Sequence, residues 1–149
     1  MEQIRKILVP VDFSKQSRRA LHMAIGFAKA FGAELHLLHC YQLQLSAIDP
    51  YGIAPPEDYD RRLREAAGQQ LSEWRSEARA QKVIAEQHIT AQSPFTEIAA
   101  LAEKLGVDLI VMGTRGLSGL KHVLLGSVTE RTIRIAPCPV LTVNDDGDR

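Results

Sequence analysis

The spacing of apolar residues changes from segment to segment along this chain. Short, nearly continuous apolar runs alternate with longer segments in which apolar residues recur every three or four positions. The first run, Ile4 to Val11, is almost continuously aliphatic, which is typical of a strand buried on both faces of a parallel sheet. From Ser17 to Phe31 the apolar positions follow the i, i+4 and i+7 spacing of a helix with one buried face. Gly32 then stands where helices commonly end in the left-handed conformation. The chain is therefore predicted to begin with a strand and a helix.

The same alternation continues to the end of the chain. Further strands are predicted at residues 33–40, 83–89, 108–112 and 137–143. Three further helices are predicted: one that ends at about residue 80, one over residues 94–105 and one over residues 127–135. Residues 41–60 contain three prolines and a glycine within seven positions, which predicts a variable surface loop. Alternating strands and helices predict an open parallel α/β sheet with helices on both faces.

Composition narrows the class of protein. The chain has 149 residues, of which 45% are hydrophobic and 24% charged, so a single globular domain over residues 1–149 is expected rather than a disordered chain. Eighteen basic residues balance eighteen acidic ones, which argues against binding to nucleic acid or to a membrane surface. No apolar run has the length of a signal peptide or a membrane helix. Two cysteines, Cys40 and Cys138, are too few for a disulfide framework, so a cytoplasmic location is predicted.

The loop after the fourth predicted strand carries the clearest chemical signal. Gly113 and Gly116 are followed by nine residues and then by Gly126 and Ser127, so a glycine-bearing loop leads into the start of a helix. Glycine lets the backbone approach an anion closely, and free N–H groups at a helix start favour phosphate. The alternative is that the glycines only turn a surface loop. The P-loop, G-x-G-x-x-G and G-x-S-x-G motifs are all absent.

This spaced pattern resembles the signature of the nucleotide-binding universal stress proteins: Gly, two residues, Gly, nine residues, Gly, then Ser or Thr. Four further segments resemble that family, namely VPVDFS from Val9, GAELHLLHC from Gly32, DLIVMGTRG from Asp108 and PCPVLTV from Pro137. Residues 91–93 depart from it, because many relatives have a glycine there. The resemblance implies a Rossmann-like, five-stranded sheet with strand order 3-2-1-4-5.

The resemblance also implies a ligand, ATP accompanied by Mg²⁺, and a set of site residues. Asp12 matches the acidic residue that contacts the ribose, although a cap or dipole partner of the first helix is an alternative role for it. Cys40 and Met112 match residues beside the adenine, with ordinary core packing as their alternative. The implied nucleotide-binding set is Pro10, Val11, Asp12, Cys40, Met112, Gly113, Gly116, Gly126, Ser127 and Val128.

Metal and catalytic sites are not predicted. His36 and His39 are three apart on a strand and so lie on opposite faces, and the remaining histidines have no ligand partner at metal spacing. Paired carboxylates and a Ser/His/Asp arrangement are also missing, so the sequence predicts a binding protein rather than an enzyme.

Taken with the resemblance, these features predict a cytoplasmic ATP-binding stress-response protein that acts as a nucleotide-dependent regulator or interaction module. Two alternatives stay open: a slow ATPase or nucleotidyl-transfer enzyme, and a nucleotide-free dimeric scaffold. Relatives pair their last strand across a two-fold axis, so a homodimer through residues 137–143 is expected, since an exposed apolar edge needs cover.

Overall fold

The described part of the chain consists of strands and helices in strict alternation. A computed structural model describes residues 3–42, 51–52, 56–115 and 125–144. The strands are β1 (Lys6–Pro10), β2 (Glu34–Cys40), β3 (Ala85–Thr90), β4 (Leu109–Gly113) and β5 (Val140–Val143). The helices are α1 (Lys15–Phe31), α2 (Tyr59–Ala80), α3 (Pro94–Leu105) and α4 (Ser127–Ile135).

All five strands form one parallel sheet in the order β3-β2-β1-β4-β5. β1 lies in the centre, where Leu8 pairs with His36 of β2 on one side and with Ile110 of β4 on the other. The chain therefore moves outward from β1 first in one direction and then in the other. This order and the parallel α/β class confirm the predicted fold.

The helices cover both faces of the sheet, and each face has its own apolar core. Under α1 and α2 the core includes Leu21, Ile25 and Trp74, whereas under α3 and α4 it includes Leu8 and Ile98. Burial on both faces explains why β1 and β4 are almost continuously aliphatic.

Local sequence signals account for both ends of α1 and of α3. The side chain of Ser14 caps α1 by accepting a hydrogen bond from the Ser17 N–H at 3.1 Å. Pro94 occupies the first turn of α3, where a missing N–H costs nothing. Gly32 and Gly106 end α1 and α3 with φ of 69° and 65°, a left-handed conformation that glycine adopts without strain.

Several predicted boundaries differ from those of the structure; the third strand, for example, is Ala85–Thr90 and not residues 83–89. The last strand begins at Val140 and not at Pro137, because Pro137 and Pro139 have no N–H to donate to a ladder. Residues 59 and 60, predicted as loop, belong to α2. Among the described residues, no helix is long and apolar enough to cross a membrane.

Candidate functional site

A cavity of about 220 Å³ opens beyond the carboxyl ends of β1 and β4, where the strand order reverses. Ligands of open parallel sheets bind at this kind of switch point. The structure brings nine of the ten predicted site residues together on its walls; Gly116 lies outside the described residues. The nine are Pro10, Val11, Asp12, Cys40, Met112, Gly113, Gly126, Ser127 and Val128.

Asp12 follows β1 directly and lines the cavity. Its Oδ1 accepts a hydrogen bond from the Ser14 N–H at 2.9 Å, which folds the chain into a tight turn before α1. The cap of α1 is Ser14 rather than Asp12, so the capping role considered for Asp12 is not the one that the structure shows. The carboxylate is thus placed at the cavity wall by the turn that starts α1.

A cluster of three aromatic rings, those of Phe13, His39 and Trp74, includes a residue of this turn. Phe13 has a φ of 64°, a conformation that costs energy for a residue with a side chain. Its ring packs 4.5 Å from the ring of His39 and 5.3 Å, edge to face, from that of Trp74. The Nδ1 of His39 lies 2.6 Å from the carbonyl oxygen of Val11, so it donates the hydrogen bond there. These contacts fix the conformation of residues 11–13, and no motif in the sequence pointed to them.

The end of β4 needs glycine for lack of space rather than for an unusual backbone angle. A Cβ on Gly113 would lie 2.9 Å from the Cβ of Gln16 and 3.3 Å from its carbonyl carbon. Gly126, at the far end of the loop, has an ordinary extended backbone with φ of −70°. Neither Gly113 nor Gly126 has a positive φ, and the close approach that requires glycine at 113 is to Gln16 of α1; the predicted approach of this backbone to an anion stays a prediction.

Two hydrogen bonds join the start of the loop to its end. The Gly126 N–H donates to the Thr114 carbonyl at 2.6 Å, and the Thr129 hydroxyl donates to the Gly113 carbonyl at 2.8 Å. Ser127 is consequently held at the first position of α4, beside the end of β4. The first N–H groups of a helix lack intrahelical partners and attract anions. This part of the cavity is thus suited to phosphate.

The rest of the cavity is largely apolar. Leu38, Cys40, Ile98 and Met112 contribute to its wall, and apolar surface with few polar groups is typical of small-molecule sites. Burial, with a smaller contribution from the Glu97 carboxylate, raises the pKa of the Cys40 thiol to about 12. Cys40 is therefore a neutral, weakly reactive thiol at physiological pH.

Two histidines of neighbouring strands contact each other, which the sequence did not predict. His88 lies on β3 with its Nε2 3.0 Å from the Nδ1 of His36. The Nε2 of His36 lies 3.1 Å from the Glu34 carboxylate, and burial, followed by the charge of His36, lowers the pKa of His88. Across the described ranges, no group of three or more His, Cys, Asp or Glu side chains could hold a metal ion.

Comparison with known proteins identifies the family to which the chain belongs. The model of the universal stress protein family matches residues 3–144. The chain belongs to the universal stress protein family. Universal stress protein MJ0531 of Methanocaldococcus jannaschii is 37% identical over 143 residues, which cover 93% of this chain and 81% of that protein.

Solved universal stress protein structures share the same fold. The structure of MJ0577 from Methanocaldococcus jannaschii aligns over 99% of this chain and 100% of its own, with a TM-score of 0.86 and 30% identity. Another universal stress protein, crystallised in complex with cAMP, aligns over 95% of this chain and 98% of its own, with a TM-score of 0.66 and 26% identity.

Proposed function

We propose that this universal stress protein binds an adenine nucleotide, ATP, in the cavity between β1 and β4. The observation that carries the proposal is the convergence of residues from β1, β2, β4 and α4 on one cavity at the switch point. A member of the same family is complexed with cAMP, which supports a nucleotide as the class of ligand. The neutral net charge of the chain favours a small ligand over a nucleic acid.

The proposed orientation follows from the chemistry of the cavity walls. The base packs against the apolar wall near Cys40 and Met112, and the phosphates lie at the start of α4, where N–H groups and the Ser127 hydroxyl can donate to them. Asp12 accepts hydrogen bonds from the ribose hydroxyls, since a carboxylate beside phosphate would repel it. Each part of the ligand thus meets a surface of matching polarity.

The described residues also fit Mg²⁺ carried by the phosphates. Mg²⁺ in nucleotide sites keeps several waters and takes one or two protein ligands in addition to phosphate oxygens. The Ser127 hydroxyl is the protein oxygen that we propose as such a ligand, because it stands at the phosphate end of the cavity. A dedicated cage of acidic residues is not needed for this arrangement.

We propose a regulatory role rather than catalysis, in which bound ATP alters the surface that a protein partner meets. Hydrolysis requires a group that orients water and takes its proton. The Ser127 hydroxyl and the α4 amides are donors, and the Asp12 carboxylate is assigned to the ribose. Steady phosphate release at about one per second, an ordinary enzymatic rate, would instead support the slow ATPase that the sequence left as an alternative.

Titration calorimetry with ATP and Mg²⁺ tests the proposal. The wild type should bind ATP, and Ser127→Ala should weaken binding about ten- to a hundredfold, because a hydrogen bond to a charged group contributes about 1.5–3 kcal/mol. Ser76→Ala is a matched control, since Ser76 is exposed on α2. A wild type without affinity for ATP contradicts the proposal and favours the nucleotide-free scaffold.

We also propose that the protein is a homodimer through the outer edge of β5. β5 is an edge strand of the sheet, and Ile133 and Ile135, at the end of α4 just before it, are 44% and 50% exposed. An uncovered strand edge beside apolar side chains favours pairing with another strand. A second copy offers the same edge and the same side chains across a two-fold axis.

Light scattering coupled to size exclusion tests the dimer. Ile135→Lys should shift the protein toward the monomer, because it places a charge in the proposed contact. Ile84→Lys is the control, since Ile84 is 66% exposed beside β3 at the opposite edge of the sheet. A wild-type monomer at micromolar concentration would exclude this dimer.

A further inference from the structure

We propose that Gln16 is a positioning residue of the nucleotide site, which holds the chain where it leaves β4 so that the phosphate end of the cavity has one fixed geometry. This inference rests on the proposed function and concerns a residue outside the family signature. Gln16 lies in the first turn of α1, and its side chain reaches across to the residues that follow β4.

The contacts of Gln16 are those of a buried anchor. The residue is 7% exposed, and its Oε1 accepts the Arg115 N–H at 2.7 Å and faces the Thr114 hydroxyl at 3.4 Å. A buried glutamine needs such partners, because an unpaired amide away from water is costly. The Arg115 N–H consequently donates within the protein, although Arg115 lines the cavity.

Close packing makes this contact specific. The Cβ that Gly113 lacks would lie 2.9 Å from the Cβ of Gln16, so a larger residue at 113 would push α1 away from β4. The first signature glycine and Gln16 are therefore complementary: one provides the space that the other occupies. This explains in physical terms why a glycine stands at the end of β4.

The opposite side of the same segment is held by α4. Thr129 donates to the Gly113 carbonyl and the Gly126 N–H donates to the Thr114 carbonyl. Residues 113–115 are thus fixed between α1 and α4, and the position of the α4 N-terminus depends on both contacts. Loss of the Gln16 acceptor should loosen this segment and disturb the phosphate end more than the ribose and base end.

The test compares Gln16→Met, which keeps the chain length but removes the acceptor, with Gln16→Glu, which keeps an acceptor and adds a negative charge. Gln69→Met, at an exposed position of α2, is the matched control. Affinities for ATP, ADP, AMP and adenosine are measured by calorimetry. Exchange of the Arg115 amide hydrogen is measured by NMR without ligand.

Gln16→Met should expose the Arg115 amide to exchange, weaken ATP about tenfold, as expected for one hydrogen bond, and change adenosine less than twofold. Gln16→Glu should keep the amide protected and weaken binding progressively from AMP to ATP, because its charge repels each added phosphate. This second variant decides the matter if Gln16→Met does not fold. Gln69→Met should behave as the wild type.

Several results would overturn the inference. Gln16→Met with wild-type ATP affinity, or with equal losses for ATP and adenosine, would show that Gln16 contributes only to general stability. A Gln16→Glu variant whose losses do not grow with the number of phosphates would place Gln16 away from them. A wild type that binds none of these ligands would instead refute the proposed function itself, and the positioning role with it.

Discussion

At each end of β1 and β4 a side chain accepts hydrogen bonds from backbone that is distant in sequence, but the two acceptors differ in chemistry. At the amino end the Asp108 carboxylate accepts the N–H groups of Arg5 and Lys6 at 2.8 and 2.9 Å. At the carboxyl end the neutral amide of Gln16 accepts the N–H of Arg115. A charged acceptor forms a stronger hydrogen bond than a neutral one. Hydrogen-bond strength alone therefore does not explain the neutral acceptor at the carboxyl end.

The two ends of the sheet differ in that only the carboxyl end borders the cavity described above. The amino end is closed by left-handed glycines, Gly32 and Gly106, and by the Lys6 ammonium on the Leu105 carbonyl at 3.1 Å. The carboxyl end retains the cavity. A carboxylate at position 16 would lower the affinity of that cavity for anions, whereas a glutamine anchors the backbone without adding negative charge. Stability therefore accounts for the acceptor at the amino end, whereas compatibility with the proposed anionic ligand accounts for the acceptor at the carboxyl end.

Thiol reactivity should show the largest effect at the carboxyl end. Because burial raises the pKa of Cys40 from 9.0 to about 12, its thiolate fraction at pH 8 is roughly a thousandfold lower than that of an ordinary thiol. Alkylation of a Cys138→Ala variant should therefore be slow, should accelerate about tenfold per pH unit up to pH 11, and should slow further with ATP. Reaction of Cys40 at the rate of free glutathione would contradict the burial of the cavity wall.

At the amino end, Asp108→Ala should lower the free energy of unfolding by about 2 kcal/mol, because two backbone N–H groups lose a charged acceptor. Urea titration measures this change. ATP affinity of the folded variant should stay at the wild-type value, since the substitution lies at the far end of the strands. Glu103→Ala, at an exposed position of α3, is the control and should change stability little.

Gly113→Ala should lower the free energy of unfolding by about 1.5 kcal/mol, a typical cost of overpacking, because the added methyl meets Gln16 at 2.9 Å. Unlike Asp108→Ala, it should also weaken ATP binding. The control is Gly26→Ala in α1, where no described atom beyond the neighbouring residues and the backbone of the helix itself lies within 4 Å of the new Cβ. That variant should gain stability from the better helix propensity of alanine. Equal effects of the two substitutions would remove the packing argument.

Two threonines of α4 provide the smallest and sharpest test. Thr129 donates to the Gly113 carbonyl, whereas the buried hydroxyl of Thr132 has no hydrogen-bond partner in the described part of the chain. Thr129→Val should cost about 1 kcal/mol and Thr132→Val should gain about 1 kcal/mol, because it removes an unsatisfied polar group. Thermal melts of both variants measure the difference. A loss in both would mean that the Thr132 hydroxyl has a stabilising partner.

Much of the fold was accessible from the sequence because its signals are local. Apolar periodicity and a left-handed glycine depend on a few neighbouring residues, and α4 begins and ends where predicted, at Ser127 and Ile135. The predicted last strand begins too early because Pro137 and Pro139 lie in an otherwise apolar run. Hydropathy alone does not show that these prolines lack the N–H groups that a strand donates.

The site was accessible only in part. The glycine spacing and the residues after the strands pointed to the cavity, but Gln16 contacts a residue 99 positions away. The His36–His88 contact likewise depends on the parallel register of β2 and β3. Such pairs follow from strand pairing and helix packing, which the spacing of apolar and polar residues along the chain does not reveal.

The central place of β1 has a consequence for the order of folding. β1 is made first, yet its partner β4 lies about a hundred residues later, and pairs such as Leu8 with Ile110 have a high contact order. Closing so long a loop costs entropy before any contact repays it. On the ribosome, the half of the cavity around Asp12 therefore waits for the half around Ser127, and the cavity is complete only after β4 and α4 have been synthesised. A truncated chain that ends before β4 contains only the half of the cavity around Asp12, so affinity for the proposed nucleotide should report completed folding rather than the presence of the amino-terminal strands.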